Sequence, residues 1–73
     1  MRYARIIRER RKLSLEDVSQ VTKIKFSNLA RFERGEGFMR AENLITLRDF
    51  YGCTVDDLIR EVPEPDAQPA EAV

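Results

Sequence analysis

Histidine is absent from the chain, and cysteine occurs once, at position 53. A single thiol cannot close an internal disulfide, and without imidazole there is neither a ready metal-ligand set nor an ordinary general base near neutral pH. Cys53 therefore reads as a small buried apolar residue. Nothing pairs a nucleophile with a base, so no enzymatic activity, metal or other cofactor is expected. Long apolar runs are missing too. The longest are two residues, Ile6-Ile7 among them, and no segment can span a bilayer. The arginine-rich start lacks the apolar stretch of a secretory signal, so a cytoplasmic protein is expected, without a membrane partner.

At 73 residues there is room for one compact domain, which buries only about 60% of its unfolded surface. No separate catalytic domain fits beside it. Hydrophobic residues at 42% and charged residues at 36% suit a globular chain. The formal net charge of zero conceals a division along the sequence. Residues 1–40 hold eleven basic groups (Arg2, Arg5, Arg8, Arg10, Arg11, Lys12, Lys23, Lys25, Arg31, Arg34, Arg40) against five acids. Residues 41–73 hold two basic groups and eight acids. A basic half and an acidic half make a polar molecule whose positive end can approach a polyanion.

Almost everything up to residue 62 has helical periodicity, so the class is all-α with five helices. The first spans roughly residues 2–11, with Ala4 and Ile7 inward and Tyr3 beside them. Ser14-Leu15-Glu16-Asp17 is a capping box that opens the second, which ends near Val21. After a short break at Thr22-Lys23-Ile24, the third runs over about residues 25–34 and stops at Gly35, a residue suited to a left-handed cap. Its Leu29 and Phe32, three apart, face the core. The fourth covers about residues 40–51, with Leu44, Leu47 and Tyr51 on one face, and Gly52 ends it. Thr54-Val55-Asp56-Asp57 is a second capping box, opening a short fifth helix with Leu58 and Ile59. Residues 1–62 thus form the domain, and residues 63–73, rich in Pro, Ala and acid, read as a flexible tail.

Residues 13–35, LSLEDVSQVTKIKFSNLARFERG, carry a recognisable pattern. They resemble the helix-turn-helix of the phage repressor/Cro (XRE-like) family, which reads L-S-x-x-x-L-A-x-x-x-G-V-S-x-x-x-I-S-x-x-E-x-G. Arg8 before it, Glu33-Arg34-Gly35 at its end and Val55-Asp56-Asp57-Leu58 beyond extend the likeness over about residues 2–60. It implies a five-helix lambda-repressor-like domain that binds double-stranded DNA as a homodimer and regulates transcription. The third helix would enter the major groove. Phe26, Ser27, Asn28 and Arg31 would then meet base edges: Arg31 can take guanine bidentately, Asn28 adenine, and Phe26 a thymine methyl. Lys23, Lys25, Arg34 and Arg40 would contact phosphates. The likeness makes Arg8 and Glu33 a partly buried structural ion pair. Apolar residues near the fifth helix, Phe50, Tyr51, Val55, Ile59 and Val62, are the expected dimer contact.

The chain departs from the pattern at Ser19, where the family prefers Ala, at Thr22, where it prefers an apolar residue, and at Lys23, where it prefers Gly. A left-handed Lys23 costs about 1 kcal/mol relative to Gly. Lys25 replaces the usual hydroxyl cap, losing roughly 1 kcal/mol but adding a cation at the helix start. Without a second domain, a repressor switched by self-cleavage is disfavoured. The competing class is a protein-interaction module of antitoxin or antirepressor type that keeps the fold and uses the Phe26 surface or the acidic tail to hold a protein partner.

Overall fold

The computed structural model of the chain describes residues 1–63. The expected tail lies outside the described residues apart from Pro63, which is exposed. Five α-helices follow one another: α1 (Tyr3–Arg10), α2 (Leu15–Thr22), α3 (Phe26–Arg34), α4 (Ala41–Tyr51) and α5 (Val55–Ile59). Among the described residues there is no strand, only an isolated antiparallel bridge between Arg2 and Glu61. No helix there is long and apolar enough to cross a membrane.

The helix ends follow local chemistry. Ser14 Oγ accepts from the Asp17 amide at 3.0 Å, and Asp17 Oδ2 accepts from the Ser14 amide at 2.9 Å. These bonds to the charged form lower the pKa of the Asp17 carboxyl. Thr54 and Asp57 repeat the arrangement at the start of α5. Helices α1, α3 and α4 begin one residue later than the periodicity implied. Arg2, Lys25 and Arg40 are their cap residues, with ψ of 148°, 135° and 158°, outside the helical range. Gly35 closes α3 at φ 89°, and a Cβ there would also stand 3.2 Å from the Glu61 carboxylate.

Each helix is too short to persist alone, so packing must hold it. Helix α1 lies against α3 and α5, α2 against α3 and α4, and α4 against α5. Ala4, Val18, Leu29, Phe32, Leu47, Tyr51 and Leu58 meet in the centre, joined by Ile24 from the turn between α2 and α3. Full burial of such side chains contributes about 1.5–3 kcal/mol each for Val, Leu or Phe. Ile7 is only half-buried, at the edge of this cluster. Cys53 also sits at the edge rather than inside, and partial burial still pushes its thiol pKa up.

A charged pair runs through the same interior. Arg8 Nε and Nη2 donate to the two carboxylate oxygens of Glu33 at 2.8 and 3.0 Å, and Nη1 donates to the Leu13 carbonyl at 2.8 Å. Arg8 is 9% and Glu33 5% exposed, and the carboxylate raises the guanidinium pKa further. The chain's start is tied down by backbone bonds of 2.8 Å from Arg2 N to Glu33 O, Tyr3 N to Arg60 O, and Val62 N to Met1 O.

Removing one partner of a buried pair leaves an uncompensated charge and costs about 3–5 kcal/mol. Glu33→Ala should therefore lower the urea midpoint sharply, whereas Arg8→Met with Glu33→Leu should recover part of the loss; equal destabilisation by both would contradict this assignment.

Candidate nucleic-acid interface

The turn between α2 and α3 is built from residues that depart from the pattern the sequence resembles. Lys23 caps α2 in the left-handed region, φ 65° and ψ 20°, and its amide donates to the Ser19 carbonyl at 2.9 Å. Ser19 Oγ donates to the Ile24 carbonyl at 2.6 Å, while Thr22 Oγ1 donates to the Val18 carbonyl at 2.7 Å and receives the Ile24 amide at 3.4 Å. The two hydroxyls that depart from the pattern therefore bridge the turn, offsetting the strain at Lys23. Short hydroxyl side chains that compete for backbone groups were the available signal in the sequence.

Past the turn, α3 divides into faces. Leu29 and Phe32 point into the core, at 2% and 1% exposure. Phe26, Ser27 and Arg31 are exposed, and Phe26 presents 49% of its surface although it is apolar. Asn28 is half-buried rather than open. It lines a shallow cleft of about 190 Å³ with Arg31, Glu36, Phe38, Arg40 and Asn43. Lys25 forms the N-cap of α3 without a side-chain cap bond, which leaves its charge near amides carrying the positive end of the helix dipole.

The basic half of the sequence separates into two populations in space. Arg2 and Arg8 are buried, and Arg11 donates to the Tyr51 carbonyl. All three fasten the fold, but only the buried Arg2 and Arg8 subtract from the surface charge that the sequence suggested, since Arg11 stays exposed. Lys23 and Lys25 are exposed and make no ion pair among the described residues. Arg34 pairs with Glu36 at 3.0 Å and Arg40 with Glu42 at 3.5 Å. Glu36 has its carboxyl pKa lowered chiefly by the Arg34 hydrogen bond, with a smaller contribution from Arg31. Pairs this exposed are held weakly and exchange readily for another anion.

The apolar residues around α5 are less uniform than their spacing suggested. Phe50, Val55, Ile59 and Val62 are half-buried. Tyr51 is not available to a second copy: its ring is 3% exposed within the core, and desolvation raises its phenol pKa. Its place in the core was hidden because helical spacing gives the same inward face for a core residue and an interface residue.

A family model described as helix-turn-helix domain matches residues 2–62. The chain belongs to the helix-turn-helix domain family. No curated protein and no solved structure gives a match.

Lys23→Gly should stabilise the domain by up to about 1 kcal/mol by relieving the left-handed strain. Ser19→Ala should cost about 1 kcal/mol by leaving the Ile24 carbonyl without its donor. Chemical denaturation of both variants checks the pair of signs; a loss with Lys23→Gly would contradict the strain argument.

Proposed function

We propose that the chain is a sequence-specific regulator of transcription that binds double-stranded DNA as a homodimer and inserts α3 into the major groove. The observation that carries this reading is the exposed face of α3 bearing Phe26, Ser27 and Arg31, preceded by the exposed Lys23 and Lys25, which make no ion pair among the described residues. Groove edges offer hydrogen-bonding groups and thymine methyls to such a set, while the flanking cations suit phosphates. Arg31 is assigned to guanine, where its two donors match O6 and N7, and Phe26 to a thymine methyl. Asn28, half-buried at the cleft, is assigned to the groove's edge. Arg34 and Arg40 would leave Glu36 and Glu42 for phosphates. Half-burial leaves Phe50, Val55, Ile59 and Val62 with surface for a second copy, and the dimer contact is assigned to them.

Selection of bound duplexes from a random pool, followed by affinity measurements over a range of salt, tests the proposal. If only Lys23 and Lys25 of each subunit engage phosphate, the log-log slope should be about −4; with Arg34 and Arg40 added it should be about −7. Arg31→Ala should cost about 1–3 kcal/mol per half-site on the selected duplex and much less on random DNA. Equal losses on both would move Arg31 to the backbone. Absence of any duplex binding at micromolar protein would instead favour a protein-interaction module, with Phe26 and the 62% exposed Val21 as its contact.

A further inference from the structure

One arginine of the basic half, Arg2, takes a place that DNA contact does not explain. It is only 4% exposed, although a guanidinium normally stays in water unless its charge and donors are met. Two aromatic rings enclose it, with the guanidinium carbon 4.5 Å from the Phe32 ring centroid and 4.3 Å from that of Phe38. The rings belong to different settings: Phe32 is 1% exposed in the core, whereas Phe38 is 71% exposed on the loop after α3. Arg2 Nη1 also donates to the Phe32 carbonyl at 3.1 Å and to the Gly37 carbonyl. Its Nε lies 3.3 Å from Glu61 Oε2 but has no hydrogen bond among the described residues. A single side chain thereby joins the last turn of α3 to residues 37 and 38.

That connection has geometric consequences for the DNA-facing surface. Gly37, Phe38 and Arg40 line the same cleft as Asn28 and Arg31, so the loop supplies one wall and α3 the other. Gly37 has φ 80°, and without a Cβ its backbone can also take other shapes, so the residue does not by itself hold the loop in this one. Phe38 itself is mostly in water, and the Arg2 guanidinium lies against its ring.

We propose that Arg2 is a positioning residue for DNA recognition. Through the stack of Phe32, Arg2 and Phe38 it fixes the loop that carries Arg40 relative to Arg31, and it takes no phosphate itself. The inference rests on the DNA-binding reading above. A flat guanidinium is required, because an ammonium cannot stack between two rings while donating along its edge to two carbonyls.

The test uses the full chain with Arg2→Gln, Arg2→Lys and Phe38→Ala, the last removing a ring that the core does not need. Duplex affinity is measured well below each melting temperature and across salt, with amide exchange at residues 36–40 of the free protein. All three variants should weaken the selected duplex about three- to tenfold, the size of one or two cation–π contacts, and should quicken exchange in the loop. Arg2→Lys should not rescue. Arg2→Gln combined with Phe38→Ala should be little worse than either alone, because both break one stack. The slope of affinity against salt should stay unchanged. A slope smaller by about two per dimer in Arg2→Gln would make Arg2 a phosphate ligand and overturn the proposal. Phe38→Ala with wild-type affinity and loop exchange would also overturn it, leaving Arg2 a fastening of the core. Failure of the wild-type chain to bind any duplex removes the DNA-binding reading and this inference together, and is distinguishable because it precedes any substitution.

Discussion

Arg8 and Glu33 meet inside the domain through two parallel hydrogen bonds, and a third Arg8 donor reaches the Leu13 carbonyl just before α2. One guanidinium therefore relates α1, the entry to α2 and the end of α3. A hydrophobic contact would stabilise without prescribing direction, whereas a bidentate pair accepts a narrow range of angles. The helices have five to eleven residues, too few to stand alone, so their mutual orientation has to come from such contacts and from the central cluster. The exposed face of α3 is aimed because its opposite face is held at Leu29, Phe32 and Glu33.

A second constraint works at the chain's beginning. Backbone bonds from residues 1–3 to residues 33 and 60–62 bring α1, the end of α3 and the segment after α5 to one place. Arg2 fills that place, and Glu61 approaches both Arg2 and the position where a Gly35 side chain would be. Gly35 thus answers two requirements at once: a left-handed backbone for the helix cap and room for a neighbouring carboxylate.

The turn between α2 and α3 illustrates how departures from a family pattern compensate one another. Lys23 adopts a conformation that favours glycine, and Ser19 and Thr22 supply hydroxyls that bind the carbonyls and amide around it. The outcome is a cation at the turn and another at the cap of α3, where a glycine and a serine would have left the surface neutral. Stability is redistributed from backbone preference to side-chain hydrogen bonds, and surface charge increases beside the candidate interface.

The sequence by itself determined the five helices, their capping boxes at Ser14 and Thr54 and their glycine stops at 35 and 52, because each is set by neighbours within four residues. It also marked Ala4, Leu29 and Phe32 as facing inward and put Leu47 on the apolar face of α4, since their spacing matches a helical turn. Helix starts shifted by one residue where an arginine or lysine with extended backbone served as the cap. Only the tertiary structure decided which of the many arginines are fastenings and which are surface charge, because Arg2 finds its rings at positions 32 and 38 and Arg11 its carbonyl at 51. The same holds for Tyr51, enclosed by the core rather than left for a partner, and for Asn28, at a cleft whose far wall comes from the loop after α3. Contacts between residues far apart in the chain depend on how short helices pack, and periodicity assigns a face to each residue without naming what lies opposite it.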